Sequence, residues 1–352
     1  MKCRLPELGA VLVGIMATAV STPVAAQKTD FGAVVEVNRL LTEVRVVGRD
    51  DLPVPDLRPD EFEVTINGER VEVESVTWVP ASAEVPVSET TQATGGDQEV
   101  RTPRAPPEGR LIILVFQTDM ALRRSRTAGL LKTAPLAAEF VDNLGPHDRV
   151  AMFVFGTHLE LRSDFTADHE AIAEALHVQE ILGGEQAESD TSVPSLIGSF
   201  DFAAARDAAD MSSALEVIGR SLAPIPGTKS LVFFGFGLGR MSGADRITID
   251  DGYDRAIQAL ADARCSVFSI DFTEADYHSL EMGQRKIADD TGGLYVKTFR
   301  FPEIAMKRFI QVVSSYYELS IVPPPDLPES FKIKVKVTRP GTTVYVRQNH
   351  PS

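Results

Sequence analysis

LIILVF (111–116) is an unbroken apolar run, and the rest of the chain is best read outward from it. A strand with one wet face alternates polar and apolar residues. A strand with no polar position is covered on both faces, as in a parallel sheet flanked by helices. The same texture recurs in RVAMFVFG (149–156), SLVFFGF (230–236) and CSVFSIDF (265–272), with a more polar strand at HLELRSDF (158–165) and a short one at LYVKT (294–298). Stretches of helical period lie between them. The first is expected to restart after Pro135 and run through Val141, and ADHEAIAEALHVQEI (167–181) reads as one amphipathic helix. A Gly/Ser/Asp-rich stretch from Gly183 to about Arg206 precedes a helix ending at Leu222. Tyr253, Ile257, Leu260 and Ala261 share one helical face, with Asp250 or Asp251 placed to cap it, and Ala305, Phe309, Val312 and Val313 mark a last helix. Six strands alternating with helices predict a doubly wound α/β domain with a mostly parallel six-stranded sheet over 110–315.

Both ends of the chain have a different period. Phe62, Val64 and Ile66 share a face, and Asn67-Gly68 makes a two-residue hairpin turn that needs positive φ at both positions. Val71 and Val73 continue on the returning strand. Val76 and Trp78 carry the opposite parity, which predicts a bulge near Glu74 or Ser75. After Ser315 the alternation returns in Tyr317, Leu319 and Ile321. Phe331, Ile333, Val335 and Val337 then alternate with Lys332, Lys334 and Lys336, and Pro340-Gly341 turns the chain into Val344 and Val346. The lysine row reads as the solvated side of a strand. Neither segment is long enough to build a core alone. The expectation is therefore one β-sandwich-like domain made of 27–79 and 316–350, with the α/β domain inserted between them. Residues 80–109 contain no aromatic residue and many Pro, Ser, Thr, Gly and Glu, and read as a flexible linker or long surface loop.

Composition narrows the function classes. The chain has 352 residues, and Asp and Glu outnumber Lys and Arg by 50 to 35, a formal charge of −15. That excess argues against nucleic acid, whose phosphates need clustered cations. Two cysteines exclude a disulfide framework and a multi-cysteine metal site. Lys2 and Arg4, the apolar run Leu8 to Val20 and the small residues Val24-Ala25-Ala26 form an export signal over 1–26, cleaved before Gln27. The apolar run is shorter than the roughly 20 residues of a spanning helix. The expected location is the periplasm or the extracellular space. Cleavage leaves Cys265 as the one cysteine, an inert thiol in a buried strand.

These segments together resemble bacterial von Willebrand factor type A-related proteins. The resemblance is carried by DEFEVTINGERVEVESV (60–76), LGPHDRVAMFVFG (144–156), DFTADHEAIAEAL (164–176), PGTKSLVFFGFG (226–237) and YDRAIQALADARCSVFSIDF (253–272). DDTGGLYVKT (289–298), SSYYELSIVPP (314–324) and FKIKVKVTRPGTTVYVR (331–347) extend it, so that it covers nearly the whole chain after the signal segment. It implies a sheet ordered 3-2-1-4-5-6 and a ligand surface at the carboxyl ends of the strands. It also implies a place to look for Mg²⁺ or Mn²⁺: a D-x-S-x-S loop after the first strand, a Thr from a middle loop and an Asp after the fourth strand. Here the loop positions read Gln117, Asp119 and Ala121, the middle loop offers Thr191 or Ser212, and Gly235-Phe236-Gly237 supplies no acid. One carboxylate is too few for a hard divalent ion, so neither a metal nor another cofactor is expected.

Other motifs fail in context. GTKS (227–230) opens a strand, whereas a phosphate loop opens a helix. GFGLGRMSG (235–243) lacks dinucleotide spacing and reads as a strand-to-loop turn. Asp245, Asp250, Asp251 and Asp254 lack the alternation of a calcium loop. The six histidines include no HExxH, and no G-x-S-x-G elbow occurs. The leading expectation is a non-catalytic binding module that presents Gln117, Asp119, Met120 and Phe236 to another envelope or extracellular protein. A hydrolase or nucleotide-binding enzyme using acids at the same strand ends is the alternative. No small-molecule substrate is evident.

Overall fold

The computed structural model describes residues 39–50, 52–80, 109–118, 124–177, 181, 194–242, 246–249, 252–273, 280–298, 300 and 302–351. The expected export signal and nearly all of the expected linker lie outside the described residues. The chain first forms β1 (Leu40–Val47), β2 (Phe62–Ile66), β3 (Glu69–Val71) and β4 (Val73–Val79). Next come β5 (Leu111–Gln117), α1 (Arg124–Asp142), β6 (Arg149–Phe155), β7 (Leu159–Thr166) and α2 (His169–Ala175). α3 (Phe202–Asp207), α4 (Met211–Leu222), β8 (Lys229–Gly235), β9 (Arg240–Ser242), β10 (Arg246–Thr248) and α5 (Gly252–Asp262) follow. β11 (Cys265–Asp271), α6 (Glu281–Thr291), β12 (Tyr295–Lys297) and α7 (Pro302–Ser314) complete the central unit. Last are β13 (Tyr316–Ile321), β14 (Ser330–Val337), β15 (Thr343–Val346) and β16 (Asn349–Pro351).

The central sheet runs β12-β11-β8-β5-β6-β7, parallel except at β7. Only Gly156 to His158 separate β6 from β7, and so short a connection joins antiparallel strands. Every residue of β5 and β11 is buried, as the continuous apolar runs require. Ile113, Val115, Phe233 and Val267 face a core closed by α4, α5 and α6. Ile112, Phe116, Phe234 and Phe268 face the opposite core under α1 and α7, where Phe116 and Phe234 stack at 4.6 Å.

The helices depart from the sequence reading in three places. α1 does not restart after Pro135 but runs through it. Leu130, Ala134, Ala137, Phe140 and Val141 are buried on the sheet, which outweighs the roughly 3 kcal/mol that an interior Pro costs. The amphipathic stretch 167–181 is described as helix only at His169–Ala175 and at 181, its start fixed by the Asp168 carboxylate accepting from Ala171 N at 3.0 Å. The helix ending at Leu222 is preceded by a separate α3, and Asp210 caps the second segment by accepting from Ser213 N at 2.8 Å. The glycine-rich 235–243 stretch also contains β9, which pairs with β10.

The two chain ends build one β structure. One sheet runs β15-β1-β13-β4 and the other β16-β14-β2-β3, with every pairing antiparallel. β3 passes into β4 at Glu72, and β15 passes into β16 at Arg347 and Gln348. Each of these is one bent strand that belongs to both sheets. The sandwich is therefore a flattened barrel with no free edge between its sheets, its corners made by strands that switch sheets. The turn residues Asn67 and Gly68 have φ of 50° and 93°. Glu74 is the extra residue, because Ser75 pairs with Ser320 and Val73 with Ile321.

Tyr317 sits at the centre of the barrel core, 4.7 Å from Trp78 and 5.4 Å from Phe62 between ring centroids. Its hydroxyl donates to Val54 O and accepts from Leu57 N at 3.0 Å, tying the β1–β2 connection to the core. Tyr317→Phe keeps the ring and leaves both backbone groups without that partner. Unfolding in urea is expected to report a loss of about 1–3 kcal/mol. A loss below about 0.5 kcal/mol, the scatter of neutral surface changes, would remove the hydroxyl from this role.

The barrel meets the central unit at the amino ends of the parallel strands. Arg45 is buried, its guanidinium 4.9 Å from the Phe268 ring centroid and 5.5 Å from that of Tyr316. Arg347 Nη1 donates to Ala261 O at 3.2 Å. Gly292 ends α6 at φ 75°, and a Cβ there would lie 2.2 Å from Arg347 N, so both its conformation and its contact with β15 require glycine.

Candidate functional site

Adjacent residues on neighbouring parallel strands point to the same face, so the register defines a row across the carboxyl end of the sheet. Phe155 pairs with Gln117, which lies one step beyond the Phe116–Phe234 pair and thus beside Gly235. Gly235 pairs with Asp271, and Asp271 with Lys297. The row reads Phe155, Gln117, Gly235, Asp271, Lys297.

Gln117 is 4% exposed, and its Oε1 accepts from Phe236 N at 3.1 Å. It fastens the end of β5 to the end of β8. A Cβ on Gly235 would fall 2.3 Å from the Phe233 ring and 2.8 Å from Gln117 Oε1. Position 235 therefore has no room for a side chain in this packing. Phe236 is 5% exposed. Gln117 and Phe236, expected among the partner contacts, are thus buried and brace the base of the loops. Asp119, Met120 and Ala121 lie outside the described residues, as do Thr191, Asp245, Asp250 and Asp251. Ser212 is buried in the first turn of α4.

Asp271 is the acid that the sequence reading missed. It is fully buried, accepting from Tyr295 Oη at 3.0 Å and from Thr273 N at 2.9 Å. Burial, and then the adjacent Asp271 carboxylate, hold the Tyr295 phenol protonated well above its ordinary range. The signal was present: one acid closing an otherwise apolar strand. Lys297 Nζ pairs with Glu281 Oε2 at 2.5 Å, which neutralises the end of the row.

At the opposite end of the sheet the lysine of GTKS has a structural task. Lys229 is 3% exposed, and its Nζ donates to Ile225 O and to Ala263 O, just past the ends of α4 and α5. It satisfies carbonyls that helix ends leave open. Burial lowers its pKa to about 8. Cys265 is fully buried nearby, and burial pushes its thiol up to about 12, which removes it as a nucleophile. Lys332, Lys334 and Lys336 are exposed on β14. Lys334 and Lys336 border a cleft of about 260 Å³ with Asp289, Gly292 and Tyr345. Among the described residues no group of three or more His, Cys, Asp or Glu side chains is placed to hold a metal, and no helix is long and apolar enough to cross a membrane.

The strand order, by sequence 3-2-1-4-5-6 with an antiparallel third strand, decides the fold. The six-stranded unit has the von Willebrand factor type A fold. No family model and no curated protein matches this chain. Among solved structures this chain overlaps with von Willebrand factor type A from Catenulispora acidiphila at 12% identity, over 88% of this chain and 72% of that one, with a TM-score of 0.39. It overlaps with the conserved hypothetical protein BatB from Bacteroides thetaiotaomicron at 18% identity, over 58% and 98%, with a TM-score of 0.39. The vWF domain of the type V pili tip protein Mfa5 from Porphyromonas gingivalis overlaps at 10% identity, over 59% and 96%, with a TM-score of 0.41. The type A assignment rests on the strand order and directions themselves.

Proposed function

We propose that this chain is an exported, non-catalytic binding module. It engages another envelope or extracellular protein through the loops at the carboxyl ends of its type A sheet, without a bound metal ion. The observation that supports this reading is the Gln117–Phe236 bond above Gly235. It uses Gln117, one of the ligand positions that the resemblance implies, to hold the end of β5 to the end of β8. Asp271, the acid at the end of β11, is buried and engaged by Tyr295 and Thr273, which favours a structural part over catalysis. Asp119 and Met120 follow the braced end of β5 and remain the proposed contact residues. The export signal read at 1–26 supports the location.

The test is thermal. A divalent ion that binds only the native state stabilises it by RT ln(1 + [L]/Kd), about 2.7 kcal/mol at a hundredfold excess over Kd. The melting temperature is expected to be the same in EDTA and in millimolar Mg²⁺ or Mn²⁺, and Asp119→Ala is expected to change neither. Capture of an envelope protein is expected to persist in EDTA and to weaken in Met120→Asp. An EDTA-reversible melting shift that vanishes in Asp119→Ala would overturn the metal-free reading.

A further inference from the structure

The face of α6 that packs on β11 carries polar atoms that the protein itself does not satisfy. Gln284 is fully buried, and neither Oε1 nor Nε2 has a hydrogen-bond partner among the described residues. Ser269 Oγ, on a fully buried residue, and Thr273 Oγ1, on a residue 9% exposed, are also without partners there. Helix period and strand register bring Gln284 and Ser269 to one level. Thr291 Oγ1 accepts from Val267 N at 2.9 Å, which fixes the level of the end of α6 against β11. Gln284 precedes Thr291 by two helical turns, so it shares the same face about 10.5 Å back along the axis. β11 advances about 3.3 Å per residue, which sets Gln284 opposite Ser269 to Asp271. Ser269 and Asp271 share the parity of Val267, whose side chain lies in the core beneath α6.

The unmet groups specify what would meet them. Gln284 Nε2 only donates, Oε1 only accepts, and the two hydroxyls do both. A cation would satisfy the oxygens and repel the amide N–H groups. An anion would do the reverse beside the Asp271 carboxylate. Water donates two hydrogen bonds and accepts two, and buried waters hold two to four polar partners. We propose that ordered water is bound between α6 and the carboxyl end of β11, held by Gln284 and Ser269 beside Asp271. The type A sheet is then bridged by solvent one strand away from the position where the resemblance looks for a metal ion. This inference does not depend on the binding function.

The sign of one substitution separates the cases. Gln284→Met keeps the length and removes both polar atoms. If water bridges the amide to β11, the variant strands that water, and the melting temperature is expected to fall by about 3 °C. Ser269→Ala, which needs no repacking, is expected to lower it in the same direction. A crystal structure of the full chain is expected to show solvent density at ordinary hydrogen-bond distances from Gln284. A rise in melting temperature in Gln284→Met would mean that the amide is unsatisfied, and would overturn the proposal. Density at the shorter distances of cation coordination, or a dry contact, would overturn it equally.

Discussion

A chain lacking Thr338 to Ser352 is expected to lose its barrel and retain its type A unit. The deletion removes β15 and β16, and with them every pairing of β1 on the side away from β13 and the pairing of β14 away from β2. Val344 and Val346 pack half-buried on the barrel core, and full burial of such a side chain is worth about 1.5–3 kcal/mol, so a loss of about 2–3 kcal/mol is expected from these two alone. Trp78 is the only tryptophan and lies against Tyr317, so its emission reports the barrel alone. A red shift with retained helical circular dichroism is expected. Unchanged emission together with an unchanged urea midpoint would show that β15 and β16 do not hold the barrel.

Asp148 is the second position of large expected effect. It is 5% exposed, and its carboxylate accepts from Arg110 N at 2.8 Å, Arg110 Nε at 3.0 Å, Arg110 Nη2 and Gly145 N at 2.8 Å. One side chain thus joins the start of β5 to the turn before β6. Burial alone would raise its pKa, but the Arg110 guanidinium and the two backbone N–H groups hold it below the ordinary value of 3.8. Asp148→Asn breaks a largely buried pair, and a cost of about 3 kcal/mol is expected. The pH dependence follows from the direction of the shift. A carboxyl with a lowered folded pKa contributes fully above its unfolded pKa, and that contribution is lost as pH falls through the folded value. Below about pH 4 the wild type is therefore expected to lose stability more steeply than Asp148→Asn. Parallel acid flanks for the two proteins would show that Asp148 is not the group responsible.

The fold was legible where one physical requirement dominates. Strands covered on both faces have to be apolar throughout, so LIILVF and its three counterparts could be placed. The parity change between Val73 and Val76 could only mean an extra residue, and Glu74 is that residue. Helix limits were less legible because tertiary burial overrides local signals: Pro135 sits inside α1 since its neighbours are held on the sheet. The candidate site was read only in part. Gln117 looked like a surface ligand position because sequence does not show that its amide reaches across to Phe236 N. Asp271 went unremarked because a lone acid in an apolar strand gives no spacing to recognise. The partners of both depend on register between strands that are distant in sequence.

The closed barrel also constrains the order in which this protein can fold. Val44 pairs with Val346, so one seam joins residues about 300 positions apart. Contacts of such separation form slowly, because the entropy of closing the loop is lost before the contact stabilises anything. The central unit, whose strands and helices are neighbours along the chain, can form first and bring Leu111 and Ser315 together, shortening the loop that remains. Until β15 is in place, β1 and β14 each carry an open side, which is the kind of surface that pairs with a second chain. Newly made copies are therefore most prone to strand exchange and aggregation in the interval before residue 346 docks. Slow refolding of Trp78 emission behind recovery of helical signal, worsening with protein concentration, is the kinetic trace this seam would leave.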